Sequence, residues 1–531
     1  MTTLPASTLR LLAALMLVGC APAVDPPAAP SLPAEEPRPA ADTVERQPEP
    51  QPEPPTPPAP VLPRDPSARA AQLGAAVMDI VRTPPLDRTH WGIAIYDPAA
   101  SRLLVDIESE KHFIPASNNK LLVAAAALAR LGPEFRYQTR VQALGRRDGD
   151  RAAGLLVVGS GDPSMSARFF DSELAVLDSI AARVHASGLR HIDGPLVIDA
   201  SRFDSIRVHP AWEFGDLDWY YAAPVAAFGV SEAAIPVRIA PTDRVGAPAR
   251  VEFLGPTGLI AIINALRTSA DTAAAWSVRR TPGDTLHFSG TIQLGTAPDT
   301  QWIAVHDPAA YAGRALILAL HARGIRSDGD LRVLYDSAQA ASVRAAVVEP
   351  PLVIWQSPPL REIVRGFLEP SQNWITEQVI KTLGAAATGR GSWDTGTRAV
   401  TEFLTRDVGI DTLAVRMRDG SGLSAQNLVT PGALVRLLAH ARAASWNRAF
   451  RSALAAPGET DSTLRSRLLD YSERVVAKTG TITNVNSLSG FVITAGGREL
   501  VFSILSNATG LRSTPVQRAI DSIVELTAGR P

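Results

Sequence analysis

Pro115-Ala116-Ser117-Asn118-Asn119-Lys120 runs straight into an alanine-rich apolar stretch, 121–131, that stops at Gly132-Pro133. This pattern predicts a helix that opens at the serine. Ser117 and Lys120 stand at i and i+3, so both side chains fall on one helix face, with the lysine one turn along. A serine hydroxyl is unreactive at neutral pH, and a lysine near a helix N-terminus and other cations can have its pKa lowered enough to take the proton. The pair therefore reads as a nucleophile beside a base. Just upstream, Trp91-Gly92-Ile93-Ala94-Ile95-Tyr96 and Leu103-Leu104-Val105-Asp106-Ile107 are strand-like runs separated by Asp97-Pro98-Ala99-Ala100-Ser101, a hairpin. Before them, 69–82 places Ala, Leu, Val, Met and Ile at helical spacing.

Working outward, the C-terminal end supplies three more strands at 474–481, 487–494 and 499–506, the last two joined through Ala495-Gly496-Gly497-Arg498. Neighbouring strands with short turns imply an antiparallel sheet. Residues 514–527 read as a closing helix that offers Ile520, Ile523, Val524 and Leu526 for burial. The middle, about 141–348, mixes short strands (155–158, 196–199, 251–254, 286–292) with helices (171–186 and 309–323), and no repeat of solenoid period is present.

Composition bounds the function. At roughly 100–200 residues per domain, 531 residues make two to four domains, and 46% hydrophobic against 20% charged residues is a globular balance. Lys+Arg number 52 and Asp+Glu 53, so the net charge of −1 gives no footprint for nucleic acid. Only four of the cations are lysines: Lys111, Lys120, Lys381 and Lys478. The single cysteine, Cys20, leaves no disulfide, cysteine cluster or cysteine nucleophile for the folded region. The nine histidines form no His-Glu-x-x-His pair, so neither a metal nor another cofactor is expected.

The N-terminus reads as an address. Arg10, the apolar run 11–18 and Leu17-Val18-Gly19-Cys20 resemble a bacterial lipoprotein signal, in which the cysteine is lipidated and becomes N-terminal. An ordinary secretory signal containing a cysteine is the alternative, and either exports the chain. The apolar run is too short to span a bilayer. Residues 21–66 hold 17 prolines in 46 positions and read as an extended, semi-rigid spacer that holds a folded body away from a membrane.

Two further motifs carry chemistry. Lys478-Thr479-Gly480-Thr481 lies on the first of the C-terminal strands, where a lysine and two hydroxyls beside a glycine suit an edge that admits a substrate backbone and binds its carboxylate. Alone, it reads more readily as an exposed strand end before a turn. Ser371-Gln372-Asn373 opens a helix through Ile375, Val379, Ile380 and Leu383, and alone it would be a helix cap. With 37 serines and four lysines, one Ser-x-x-Lys match is also weak by itself. Order and context give these elements their weight, because two of the four lysines fill the two lysine slots.

In that order, Ser-x-x-Lys, Ser-x-Asn and Lys-Thr-Gly resemble the set shared by penicillin-binding proteins and serine β-lactamases. The flanks narrow the resemblance to the class C low-molecular-mass penicillin-binding proteins, the D-alanyl-D-alanine carboxypeptidase/endopeptidase family, over nearly all of 67–531. The carrying segments are 115–120, Gly159-Ser160-Gly161-Asp162-Pro163, Asp218-Trp219-Tyr220-Tyr221-Ala222-Ala223-Pro224, Asn373-Trp374-Ile375-Thr376-Glu377-Gln378 and Asp419-Gly420-Ser421-Gly422-Leu423-Ser424. The 254-residue separation of Ser117 and Ser371 fits the large insertion of that family. Two departures are Gln372, where family members often have Asp, and Ala425, where Arg is frequent.

The resemblance implies an α+β fold: a serine DD-peptidase/β-lactamase-like domain with a five-stranded antiparallel sheet flanked by helices, and a large mixed α/β insertion. Residues 67–140 and 349–531 would form the catalytic domain and 141–348 the inserted region. It further implies that Ser117 attacks the carbonyl of the penultimate D-Ala of a peptidoglycan stem peptide, or of a D-Ala–diaminopimelate cross-link, while Lys120 takes its proton. Ser371 would relay a proton to the leaving amine, Asn373 would contact the substrate amide and Lys120, and Lys478 would supply positive charge near Ser371. Thr479 and Thr481, with Gly480 between them, would bind the leaving carboxylate, and the N–H groups of Ser117 and Thr481 would form an oxyanion hole. A β-lactam would acylate the same serine and leave slowly. The segment 419–423 reads as a tight turn supporting the sheet more than as a loop at the substrate, and 159–163 as a turn, since it lacks the third glycine of a nucleotide fingerprint. A β-lactamase or esterase on the same fold would deacylate fast, and a non-catalytic scaffold would have no need of five intact polar groups.

Overall fold

The computed structural model describes residues 64–529, apart from 66, 257 and 282–284. The signal read at 1–20, Cys20, and the spacer at 21–66 except Arg64 and Asp65 lie outside the described residues.

Ser67 caps the first helix, its hydroxyl accepting the Ala70 N–H at 3.2 Å, and α1 (Ala68–Arg82) buries Leu73, Val77 and Val81. The hairpin follows as β1 (His90–Asp97) and β2 (Arg102–Ile107). A 3₁₀ turn, Ala116–Asn118, leads into α2 (Asn119–Arg130), so Ser117 sits on the turn and Lys120 in the first α-helical turn. The middle of the chain supplies β3 (Gln138–Ala143), β4 (Leu155–Val158), α3 (Ala175–Ala186), β5 (Leu196–Asp199), α4 (Pro308–Ala322), β6 (Leu331–Leu334) and β7 (Val353–Gln356). Then come α5 (Leu360–Leu368), α6 (Asn373–Thr388), α7 (Trp393–Arg406), α8 (Pro431–Ala443), the strands β8 (Val475–Ile482), β9 (Val485–Ile493) and β10 (Glu499–Asn507), and α9 (Ser513–Gly529).

The principal sheet has the order β2-β1-β10-β9-β8, antiparallel throughout, with Gly92 opposite Leu505, Asn486 opposite Ser506 and Lys478 opposite Ser489. The N-terminal hairpin is thus completed by the C-terminal strands, and β8 is an edge. Helices cover both faces, which is why β1 is buried at every position but its first instead of alternating. On one face, Leu73 and Val77 of α1 and Ile520 and Ile523 of α9 share a core with Ile93, Ile95, Phe502 and Ile504. On the other, Leu121 and Leu122 of α2 and Leu434 and Leu438 of α8 share a core with Ala94, Phe491, Val501 and Leu505. Each fully buried aliphatic side chain of this kind contributes about 1.5–3 kcal/mol. This is the α+β architecture that the family resemblance implies.

A second sheet, β6-β5-β4-β3-β7, pairs β4, β5 and β6 in parallel and sets β3 antiparallel to β4 and β7. Its first strand starts at Gln138 and its last ends at Gln356. Between β5 and α4, Ala234–Ala240 pairs antiparallel with Arg250–Phe253 and Asp299–Ala304. One expectation shifts: the helix read at 171–186 starts only at Ala175, because Asp171-Ser172 turn and Glu173 turns back to accept the Ala167 N–H at 3.3 Å. Among the described residues no helix is long and apolar enough to cross a membrane.

Candidate active site

The expected i, i+3 geometry brings Lys120 Nζ to 2.8 Å from Ser117 Oγ. The same ammonium donates to Asn373 Oδ1 at 2.7 Å and to the Ser421 carbonyl at 2.8 Å, so three partners from three segments fix one nitrogen. The turn that carries Ser117 is strained, with Ala116 at φ 46°, and the surrounding packing holds it. Asn118 Nδ2 donates to the Lys478 carbonyl (3.0 Å) and to Ser487 Oγ (2.7 Å), and Ser487 Oγ donates to the Pro115 carbonyl (2.8 Å). Helix α2 is therefore tied to strand β8 across the site. Gly480 permits the approach: a Cβ there would overlap Ser487 Oγ and come within 2.9 Å of both the Pro115 carbonyl and the Ser117 nitrogen.

Ser371 and Asn373 come from the start of α6. The cap itself is Gln372, whose Oε1 accepts the Ile375 N–H at 2.9 Å, so the capping expected of Ser-x-Asn falls on its middle residue. That frees the two flanking side chains. Ser371 sits on left-handed backbone (φ 67°) and lines the cavity, and Asn373 Nδ2 donates to the Tyr221 carbonyl at 2.8 Å. On β8, Lys478 is buried and donates to the Thr479 carbonyl at 2.9 Å, Thr479 Oγ1 donates to Thr463 Oγ1 at 2.8 Å, and Thr481 faces outward. Ser117, Ser371, Asn373, Tyr221, Gly422 and Thr481 border one cavity of about 540 Å³.

Three of the four lysines are buried, and two of them lie at this site. Burial dominates the Lys120 amine and lowers its pKa to about 7, against an opposing pull from the Glu377 and Asp419 carboxylates. Burial also lowers Lys478 well below the ordinary lysine value, and the charge of Lys120 adds to it. Lys381 is spent elsewhere, donating to Asp204 Oδ1 and the Ile206 carbonyl, both at 2.6 Å, over the Trp393 ring.

The segment 419–423 is more than the supporting turn its sequence suggested. Its Ser421 carbonyl touches the Lys120 amine, and Gly422, at φ 82°, lies so close to the Ala116 carbonyl that a Cβ would overlap it. Asp419 folds the turn by accepting from the N–H groups of Gly422 (2.9 Å) and Ser424 (2.7 Å), and from Asn427 Nδ2 (2.8 Å) and Trp212 Nε1 (2.9 Å). Glu377 was not singled out as a site residue, yet it accepts from the Ser421 N–H (2.7 Å), the Gly420 N–H (3.0 Å) and Trp393 Nε1 (2.8 Å). Burial and the nearby Asp419 charge raise its pKa. Its position one helical turn after Asn373 was the available signal, since i and i+4 share a face. By contrast the turn read at 159–163 falls at the end of that segment, at 163–164, where Asp162 accepts from the Ser164 N–H and hydroxyl at 2.9 and 2.6 Å.

The chain resembles known proteins over the same span. The family model of D-Ala-D-Ala carboxypeptidase 3 (S13) matches residues 73–529. A D-alanyl-D-alanine carboxypeptidase of Actinomadura sp. strain R39 is 34% identical over 480 residues, 87% of this chain and 86% of that protein. The D-alanyl-D-alanine carboxypeptidase DacB of Haemophilus influenzae is 23% identical over 79% of this chain and 86% of its own length. In structure, penicillin-binding protein 4 of Haemophilus influenzae superposes with a TM-score of 0.75 at 22% identity, over 85% of this chain and 99% of that one, which shows a common fold. With a buried amine on the serine of a Ser-x-x-Lys turn, and a family match over nearly the whole described chain, this protein belongs to the D-Ala-D-Ala carboxypeptidase 3 (S13) family of serine peptidases.

Proposed function

We propose that this serine D-alanyl-D-alanine carboxypeptidase works through an acyl-enzyme on Ser117, with Lys120 as the base. The observation that carries the reading is the contact between Lys120 Nζ and Ser117 Oγ, 2.8 Å, at an amine whose pKa is brought down to about 7. In its neutral form that amine has a lone pair to take the serine proton while its remaining hydrogens keep Asn373 and Ser421 as partners. Ser117 Oγ then bonds to the carbonyl carbon of the penultimate D-Ala. The oxyanion formed there would lie against the Ser117 and Thr481 N–H groups, each worth roughly 3–4 kcal/mol in acyl transfer. The C–N bond breaks and the leaving amine takes a proton through the Ser371 hydroxyl. Thr479 and Thr481, with Lys478 behind them, receive the leaving carboxylate, and Gly480 lets the strand approach. Water attacks the ester, giving a free carboxylate and restoring the Ser117 hydroxyl.

Peptidoglycan stem peptides and their cross-links are the substrates of this reading, and β-lactams are covalent inhibitors at the same serine. The fold shared with a penicillin-binding protein supports the latter. The work is done at the cell envelope. We read 1–20 as a lipoprotein-type signal that leaves Cys20 as a membrane anchor, with 21–66 as its spacer, on the sequence alone. We also divide the body into a catalytic domain, 67–140 with 349–531, and an inserted region, 141–348. The principal sheet supports this division, since all its strands come from outside the insertion, but the second sheet moves the edges. It runs from Gln138 to Gln356, so β3 crosses the 140/141 boundary and its partner β7 lies beyond the 348/349 one.

Release of D-alanine from a peptide ending in D-Ala-D-Ala tests the reading. A base must be deprotonated to act, so kcat/KM is expected to rise with pH through an inflection near 7, the Lys120 value, and then to level off. The Ser117→Ala protein is expected to release none. A flat profile between about pH 5.5 and 8.5, or release by the alanine variant, would overturn it.

A further inference from the structure

Of the side chains given a role above, only Ser371 stands on left-handed backbone, a conformation that a residue with a Cβ keeps only where its surroundings hold it. Its hydroxyl lines the open cavity, so its direction follows from the backbone that carries it. The next residue fixes that backbone. The Gln372 N–H donates to the Phe367 carbonyl at 3.0 Å, and the Gln372 carbonyl accepts from Thr376 Oγ1 at 2.8 Å. These bonds and the cap on Ile375 stay within residues 367–376. A fourth leaves the segment: Gln372 Nε2 donates to Glu232 Oε2 at 2.7 Å, across 140 positions of the chain.

The anchor at Glu232 is built to stay still. Ser231, Glu232 and Ala233 all have left-handed backbone, φ 56°, 51° and 54°, a conformation that non-glycine residues rarely adopt in succession. Surrounding bonds hold the turn: the Ser231 N–H donates to the Met165 carbonyl and the Val305 N–H to the Ala233 carbonyl, both at 2.8 Å. Arg168 Nε and Nη2 donate to the two Glu232 oxygens at 2.5 and 3.1 Å, and this two-point grip fixes the plane of the carboxylate. Oε2 is thus shared between Arg168 and Gln372. The glutamine matches it, because its Oε1 is committed to the Ile375 N–H and its NH₂ is turned to the carboxylate. A carboxylate at 372 could still cap the helix, but it would face Glu232 as a like charge.

We propose that the Arg168–Glu232 pair is a clamp that, through Gln372, sets the Ser371 hydroxyl at the leaving amine. Both residues lie in the inserted region as divided above, so the insertion supplies a positioning part of the active site. The proposal rests on the acyl-enzyme reading, in which that hydroxyl hands a proton to the nitrogen as the C–N bond breaks. Arg168 and Glu232 are positioning residues, and neither exchanges a proton with the substrate. Their effect is therefore confined to leaving groups that need the proton. An amine leaves once protonated, whereas the thiolate of a thioester with the same acyl group leaves as the anion. A small displacement of Ser371 slows the first and spares the second.

The test compares kcat/KM on the whole protein for a peptide ending in D-Ala-D-Ala and for a thioester of the same acyl group, a ratio that cancels any loss of folded protein. Glu232→Gln and Gln372→Glu are each expected to lower the peptide rate by about tenfold and to leave the thioester rate within about twofold. The double variant Glu232→Gln/Gln372→Glu again sets an amide against a carboxylate. It is expected to bring the peptide rate back to within about threefold of wild type. In a Ser371→Ala background, Glu232→Gln is expected to cost less than about twofold more, because the clamp has no hydroxyl left to place. Equal losses on both substrates, a double variant no better than its parts, the full further loss without the Ser371 hydroxyl, or a peptide rate untouched by either single variant would overturn the proposal. A wild-type protein that forms no acyl-enzyme with either substrate or with penicillin would instead sink the reading on which the proposal stands.

Discussion

Lys120→Ala is expected to slow acylation of Ser117 by penicillin by about 10²–10⁴-fold, the usual worth of a positioned general base. Three features of the site lead to this number. The amine is the group in contact with Ser117 Oγ, at 2.8 Å, and it is held there by Asn373 and Ser421 from two other segments. Burial has already lowered its pKa to about 7, so at neutral pH a large share of molecules carry the lone pair that the reaction needs. The variant also takes the donor from Asn373 Oδ1 and the Ser421 carbonyl, so a urea titration run beside the rate separates loss of the base from loss of stability. Lys120→Arg separates base from charge. A guanidinium keeps the charge but gives up no proton in the working range. It is expected to be as slow as the alanine variant, and recovery to within tenfold of wild type would show that charge alone suffices. Stopped-flow acylation with a chromogenic β-lactam reads both.

Glu377→Ala is expected to cost about 3–5 kcal/mol of unfolding free energy, the range for stripping one partner from a buried charged network. The Glu377 carboxylate is the acceptor for three buried donors: the Gly420 and Ser421 N–H groups and Trp393 Nε1. Each left without a partner costs about 1–3 kcal/mol, and the sum is reduced by relaxation of the loop. Asp419 keeps four bonds of its own, so the turn is loosened more than lost. The Ser421 carbonyl then holds Lys120 less firmly, and acylation is expected to fall along with stability. Glu377→Gln fills the same space, but its NH₂ faces one of the donors, so a smaller loss of about 1–3 kcal/mol is expected. Urea titration at fixed pH gives the difference. A loss under about 1 kcal/mol for the alanine variant would mean that water replaces the carboxylate and that the 419–423 turn stands without it.

How far the sequence revealed the site depended on whether a group's partners were local. Ser117 and Lys120 meet because i and i+3 on a helix must meet. The hairpin, the C-terminal meander and the helix after Ser371 each carry their own periodicity, so their edges fall within a few residues of those expected. The turn at 419–423 was underrated for a physical reason: its contribution to Lys120 is a main-chain carbonyl, and no side-chain identity records that. Tyr221, Glu232 and Arg168 reach the site from the middle of the chain. Tyr221 meets Asn373 across 152 positions, and Glu232 meets Gln372 across 140. No spacing rule spans such gaps. Even the helix cap moved by one residue, because Gln372 turns back to the Ile375 N–H and leaves Ser371 facing the cavity.

The most direct test of the account is whether Ser117 becomes acylated. Protein spanning 67–531 would be mixed with a penicillin and followed over time by intact-protein mass spectrometry and peptide mapping, beside Ser117→Ala. The expected result is a persistent adduct of one intact penicillin on the peptide containing Ser117, absent from the alanine variant. An adduct on another residue, an adduct that survives Ser117→Ala, or no adduct and no turnover would contradict it.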